Sequence, residues 1–316
     1  MIAFTVRRLF QTIPVVLGVT LVTFLLTQIL PGDLADVLLG PTATEEARRQ
    51  LRAAMGLDRS LVVQYGTYMW HLLHGDLGQS LVFAQPVGAV LANRLANTAV
   101  LAVAAIVISS VGGIAIGTWV ALKPGSLRDH SLSTSVLFLN AMPPFWLGLI
   151  LILVFGLELR WLPTSGMTSA IDGGGALDLA AHMVLPTLTL AAWSMAVITR
   201  MTRSALLDVI DGDFIRTARS RGLGEARIIL RHALPNALPP IITVIGLQAG
   251  FLLSGAVLTE TVFSWPGIGL ALYQGIAARD LPFIQGGILL LALIFVVINF
   301  AVDALYAYVN PKIELQ

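Results

Sequence analysis

Apolar stretches dominate the chain, and six of them (9–30, 98–122, 132–157, 183–202, 236–258 and 284–307) are long and nearly free of charge. A helix needs roughly 20 predominantly apolar residues to cross the hydrocarbon of a bilayer. The pattern therefore predicts an all-α, polytopic membrane protein with six transmembrane helices. The fourth stretch is the weakest, because Trp193, Ser194 and several threonines dilute it. The fifth carries Pro239 and Pro240 near its start, where a missing N–H does least damage. Pro143 and Pro144 lie inside the third stretch and are expected to kink it.

Two polar stretches interrupt this pattern. In residues 31–97, Thr44 can cap a helix whose first turn holds Glu45 and Glu46 and which Gly56 can end. A second helix is predicted from Val62 to Leu73, with Tyr65, Tyr68 and Trp70 on it. This segment reads as a small folded cap rather than a bare linker. The other polar stretch, 213–235, reads as a charged helix–glycine–helix knuckle. Asp213 is its predicted N-cap and Phe214 to Arg221 its first helix. Gly222 then supplies the left-handed backbone that suits the residue just past a helix end. A second helix starts near Gly224–Glu225. The predicted organisation is an N-terminal transmembrane helix (1–30), an extracytoplasmic helical cap (31–97) and a five-helix core (98–316) containing an inner loop (204–235).

Composition agrees with a lipid environment. The chain is 56% hydrophobic and 12% charged, with mean hydropathy +0.84, where soluble domains carry about 25% charged residues. Net charge is +1, which gives no global case for nucleic acid as a partner. Cysteine is absent, so disulfides and cysteine-based metal sites are excluded. The apolar run from Leu9 to Leu30 exceeds the roughly 7–15 residues of a signal-peptide core, and Leu30 to Asp33 is a poor cleavage site. It reads as a retained anchor. Orientation follows from Lys and Arg. Arg7, Arg8, Lys123, Arg128, Lys312 and the arginines between 200 and 231 fall on one side, while the short loops of the other side hold only Arg160 and Arg279. Positive charge stays inside, so both termini and the knuckle are predicted to be cytoplasmic.

Few residues carry reaction chemistry. His71 and His74 are neighbours one helical turn apart, which is too little for a metal site, and no metal is predicted. His182 and His232 have no obvious serine partner, against an intramembrane protease. Gly112 and Gly113 are not followed by Gly-Lys-Ser/Thr, and no phosphate-binding loop occurs anywhere, so the chain is not expected to bind ATP. Inside the spans, charge is nearly absent apart from Asp303. Ion-driven carriers mark their paths with ionisable groups, so this scarcity favours an external energy source. Asn140, Thr243, Gln248 and Ser254 are the polar candidates for a translocation path, and each equally suits a helix–helix hydrogen bond. Gly113–Gly117 and Gly246–Gly250 have the spacing that lets helices approach closely. The Trp-Pro-Gly-x-Gly run after Glu260 cannot be regular helix. Such backbone persists at membrane depth only when buried in protein or lining a wet cavity. It reads as a re-entrant or gate-flanking element, or as an interfacial turn anchored by Trp265.

The knuckle could be a solvated loop, a helix-turn-helix reader of DNA or a docking site. Its spacing resembles the EAA loop of ABC-transporter permeases, the loop through which the membrane subunit grips its ATPase. The family pattern of Glu-Ala-Ala, three residues, Gly, nine residues and Ile-x-Leu-Pro falls on Arg216-Thr217-Ala218, Gly222 and His232-Ala233-Leu234-Pro235. Arg216, Thr217 and His232 depart from it, and the spacing is kept. Further pieces narrow the resemblance to the dipeptide/oligopeptide/nickel branch, and within it to the subunit with a long first external loop. These are Leu30-Pro-Gly-Asp33, Pro143-Pro-Phe-Trp-Leu-Gly148, Trp161-Leu-Pro-Thr-Ser-Gly166, Arg231-His-Ala-Leu-Pro-Asn236, Glu260-Thr-Val-Phe-Ser-Trp-Pro-Gly-Ile-Gly269 and Arg279-Asp-Leu-Pro-Phe-Ile-Gln-Gly286.

The resemblance implies the type I ABC importer transmembrane fold and a multi-pass protein of the cytoplasmic membrane. It implies four kinds of contact: lipid, a second similar permease, two ATPase subunits that carry ATP and Mg, and an extracytoplasmic solute-binding protein. Coupling to the ATPase would fall to Asp213, Arg216, Thr217, Ala218, Gly222, Glu225, Leu234 and Pro235. Glu260, Trp265, Pro266, Gly267 and Asp280 would lie at the outer gate. Peptides are the implied cargo, with nickel chelates or glutathione as the alternative, and the chain itself would catalyse no reaction.

Overall fold

The computed structural model describes residues 2–29, 39–40, 43–169 and 174–309, and among them there is no β-strand, only an isolated bridge between Gln79 and Pro86. The helices are α1 (Ile2–Ile29), α2 (Glu45–Met55), α3 (Leu61–Leu73), α4 (Val87–Ala121), α5 (Leu127–Ala141) and α6 (Pro144–Leu151). They continue with α7 (Ala176–Ile210), α8 (Asp213–Ser220), α9 (Glu225–Ile228), α10 (Leu234–Val262), α11 (Ile268–Ala277) and α12 (Leu281–Val309). π-helical turns extend α6 over Ile152–Glu158 and join α9 to α10 over Ile229–Ala233. The chain divides into two compact units, residues 1–97 with 267–296, and 98–266 with 297–316.

In the first unit the expected cap helices form with the expected ends. The Thr44 hydroxyl accepts the Ala47 N–H at 3.3 Å, and Gly56 closes α2 at φ +69°. α3 lies on α1 through aromatic packing, with the Phe24 ring 5.4 Å from Tyr65 and 6.3 Å from Tyr68. The Thr20 and Tyr65 hydroxyls meet at 3.0 Å in the same contact. A separate core joins the start of α4 to α11 and α12 through Val87, Leu91, Ile268, Leu272 and Phe283, all buried.

In the second unit α7 is the interior helix. Over its most apolar window 56% of the residues are buried, against 28% for α4, α10 and α12. The small polar residues Thr187, Thr189, Ser194, Thr199 and Thr202 of α7 are among the buried positions, where such residues let helices pack closely. α4 crosses it where glycine is required. A Cβ on Gly117 would stand 2.6 Å from the Thr199 carbonyl oxygen, and one on Gly113 would stand 2.7 Å from Ile198 Cγ2. At Gly246 a Cβ would come within 2.5 Å of Val302 Cγ2 on α12.

Four helices among the described residues are long and apolar enough to cross a membrane: Val87–Ala121, Ala176–Ile210, Glu225–Leu252 and Leu281–Val302. Thr12–Gln28 and Pro144–Glu158 are shorter apolar stretches. The third expected span is broken rather than kinked. Met142 (ψ 129°) and Pro143 (ψ 132°) are both extended between α5 and α6. Each precedes a proline, whose ring disfavours helical backbone in the residue before it, so two consecutive prolines straighten two residues.

Candidate functional site

The knuckle is built around a short amphipathic helix. Ile215 and Ala218 of α8 are buried against Leu206 of α7, Ile228 of α9, and Ala237 and Ile241 of α10. The opposite side carries Asp213, Arg216, Thr217 and Ser220, all exposed, while Phe214 flanks the buried side one turn before Ala218. Phe214 is 48% exposed, a large apolar side chain at the edge between the buried and the polar side. Gly212, not Asp213, is the N-cap residue. Its extended backbone (ψ 147°) turns the chain into α8, and its carbonyl accepts Ile215 N–H at 3.0 Å. Asp213 is the first helical residue, where a negative charge favours the helix dipole, and lies 3.6 Å from Arg216.

Gly222 sits at φ +75° as expected. The Gly222 N–H donates to the Arg219 carbonyl at 2.9 Å and the Leu223 N–H to the Ala218 carbonyl at 3.4 Å. That pair of bonds is the Schellman closure of a helix end, which requires a left-handed residue at this position. Across the turn, Arg219 Nε and Nη2 donate to the two Glu225 oxygens at 2.8 and 3.3 Å. The hydrogen-bonded guanidinium lowers the Glu225 carboxyl below its usual value and the carboxylate raises Arg219. The second helix then continues into α10, with Leu234 half-buried against the same core and Pro235 exposed in its first turn, where proline is tolerated.

Ala218 thus belongs to the core of the knuckle, and Phe214, which sequence reasoning passed over, stands half-exposed beside it. The signal was available: 214 and 218 are one turn apart, so Phe214 borders the side that Ile215 and Ala218 define, while 213, 216, 217 and 220 fall on the other. A second unforeseen feature is the buried Asp129 at the start of α5. Its carboxylate accepts Arg203 Nε and Nη2 at 2.8 Å each and the Gly125 N–H at 2.9 Å. The pair ties the turn after α4 to the end of α7, ten residues before α8. The Ser126-x-x-Asp129 spacing, a capping-box pattern, was its visible trace.

The other expected residues are dispersed. Glu260 is fully buried and its Oε1 accepts the Thr98 hydroxyl at 2.7 Å. Trp265 is also fully buried, packed with Leu101, Ala105, Leu190 and Leu252, and is therefore a core residue and not an interfacial anchor. The irregular run is held by protein: the Trp265 N–H donates to the Glu260 carbonyl at 2.8 Å, and the Gly166 N–H to the Phe263 carbonyl at 2.8 Å. Pro266 ends this run, and extended Gly267 is the N-cap residue of α11. Asp280 is buried in the first unit, accepting the Ser80 hydroxyl at 2.5 Å and the Val82 N–H at 3.0 Å. Along the expected path, Gln248 is buried, and the Thr243 hydroxyl donates to its own helix at Pro239 O, 3.1 Å away. The side chains of Asn140 and Ser254 lie outside the described residues. No group of three or more metal-ligating side chains occurs among the described residues; His71 lies on Asp76 at 3.1 Å and His74 on the Trp70 carbonyl at 2.8 Å.

A long interior helix feeding a capped, charged knuckle is the arrangement of a transporter's membrane component. The model of the binding-protein-dependent transport system inner membrane component matches residues 113–315, and its N-terminal companion matches residues 1–102. The chain belongs to this family. It is 42% identical, over the full length of both chains, to the di/tripeptide transport system permease protein DppB of Pseudomonas aeruginosa. It is 40% identical to the dipeptide transport system permease protein DppB of Escherichia coli K12, over 99% of each chain. A dipeptide transport system permease protein DppB of Alkalihalophilus pseudofirmus is 41% identical, over 99% of this chain and 100% of that one. Among solved structures, an inward-facing form of the MetNI methionine ABC transporter covers 70% of this chain and 96% of its own, with 21% identity and a TM-score of 0.58. The fold is that of a type I ABC importer transmembrane domain. The chain is accordingly a multi-pass inner-membrane permease subunit and not an enzyme, and such a permease works with an ATPase and a substrate-binding protein.

Proposed function

We propose that this chain forms one half of the translocation path of an ATP-driven peptide importer. A second, similar permease supplies the other half. Two ATPase subunits, which carry ATP and Mg, dock on the knuckles from the cytoplasm, and a binding protein delivers di- or tripeptides from outside. Both termini are cytoplasmic in this reading. Full-length likeness to permeases named for dipeptide and di/tripeptide transport supports the cargo. The observation that carries the mechanism is the shape of the knuckle. Ile215 and Ala218 fix α8 to the spans, the Gly222 closure and the Arg219–Glu225 fork set its angle, and the half-exposed ring of Phe214 offers an apolar anchor beside them. A rigid helix of this kind transmits displacement of a docked ATPase to α7 and α10, to which it is packed.

Uptake by the reconstituted transporter tests this. Vesicles holding the permease with its genomic-neighbour permease, ATPases and binding protein are expected to accumulate labelled alanyl-alanine only when ATP is supplied on the knuckle side. ATP-independent uptake, or uptake of nickel chelates with none of peptides, would overturn the reading.

A further inference from the structure

Outside the knuckle, the first unit holds a cavity of about 450 Å³ between α1, the α2–α3 hairpin and the start of α12. Its volume lies within the roughly 300–1,000 Å³ of small-molecule sites. Two guanidinium groups, Arg52 and Arg59, line it, and among the described residues lining it there is no carboxylate. Arg52 is engaged at the rim by Asp58, at 3.1 Å. Arg59 makes no ion pair with any described residue, and its stem folds over the bare backbone of Gly56, where a Cβ would stand 3.5 Å from Arg59 Cδ.

The wall behind these charges is ordered by its own hydrogen bonds. The Gln64 amide donates to the Leu57 and Arg59 carbonyls at 2.9 and 2.8 Å, which fixes the turn that carries Arg59. The Gln28 amide donates in turn to Gln64 at 3.3 Å, and Gln285 of α12 to the Thr27 hydroxyl at 3.2 Å. The rings of Phe24 and Tyr68 supply an apolar side. Charge, amide groups and an aromatic wall thus face one space of peptide size. A guanidinium fork matches a carboxylate, and the amides that line the space hold the turn bearing that guanidinium in place.

We propose that this cavity is a binding site for a short peptide, held by its C-terminal carboxylate on Arg59 and rimmed by Arg52. The inference rests on the reading of the chain as a peptide permease and adds a station for cargo in the cap, apart from the membrane-spanning helices.

The test uses the whole transporter in lipid nanodiscs without binding protein, with labelled alanyl-alanine as ligand in equilibrium dialysis. Saturable binding is expected, about tenfold weaker for alanyl-alanine amide, which lacks the carboxylate, and about tenfold weaker in Arg59→Gln. Absence of saturable binding, or binding indifferent both to the amide and to Arg59→Gln, overturns the proposal. So does a result in which Arg59→Gln weakens capture of peptide-free binding protein and leaves dipeptide binding unchanged, since the arginine then grips the protein. Uptake in vesicles, measured alongside, separates the two readings. Uptake without binding refutes the cap site alone, whereas absence of uptake refutes the peptide-permease reading itself.

Discussion

At Gly222 the backbone stands at φ +75°, yet a Cβ built there would meet no atom within 4 Å. A substitution at this position therefore acts through backbone strain alone, worth about 1–2 kcal/mol for a residue with a Cβ. Gly222→Val is expected to insert and express normally while losing most ATPase association in pull-down, because the Schellman closure that aims α8 is disfavoured. Gly222→Asn, which tolerates left-handed backbone, should retain most of it. Equal association in all three forms would show that the closure does not set the docking angle. The two neighbouring positions separate packing from contact. Ala218→Glu places a carboxylate in the core shared with Leu206 and Ile241 and should destabilise the knuckle by several kcal/mol, seen as faster tryptic cleavage near Arg219. Phe214→Ala removes a half-exposed ring and should speed cleavage far less than Ala218→Glu while weakening ATPase association about tenfold or more, the scale of a lost aromatic anchor. Normal association in Phe214→Ala would remove the anchor from the docking face.

Among the elements, regular signals were legible and context-dependent ones were not. The α2 helix could be read to its last residue because Thr44, Glu45, Glu46 and Gly56 are local instructions, and local hydrogen bonds carry them out. The knuckle glycine was legible for the same reason. α7 looked weak because threonines and Ser194 dilute it, and only the fold shows that these lie among its buried positions. The break at Met142–Pro143 was read only as a kink, since one proline bends a helix but two in succession constrain both preceding residues. Asp129–Arg203 was invisible as a pair because its partners lie 74 residues apart and meet only through packing. The crossing of α4 and α7 was legible in Gly113 and Gly117, though not which helix they would meet. That contact makes a direct prediction. Gly117→Leu drives a side chain into the Thr199 carbonyl, which backbone cannot yield cheaply, and should destabilise the protein by about 1–3 kcal/mol or more. A thermal unfolding midpoint in detergent unchanged from the wild type would mean that the two helices do not approach this closely in the membrane.

For the whole molecule the open question with the widest consequence is which side of the membrane each polar segment occupies. Cap and knuckle are both helical and both rich in arginine, so their chemistry alone does not distinguish inside from outside. The difference is one of loop length. Arginines of the 200–231 region sit next to span ends, where the positive-inside preference acts, while those of the cap lie in a segment too long for it to have force. Asp213, Phe214 and Arg216 must face the cytoplasm if ATP hydrolysis is to reach them, and the Arg59 cavity must face outward if it is to meet incoming peptide. The chain contains no cysteine, so single introduced thiols report their location without background. Gln50, Ser220 and Ala278 are all exposed, so replacing each should not disturb packing. In intact cells, Gln50→Cys and Ala278→Cys are expected to react with an impermeant maleimide, and Ser220→Cys to react only after the membrane is opened. Labelling of Ser220→Cys from outside would place the knuckle on the wrong side for an ATPase and would refute both the orientation and the coupling role built on it.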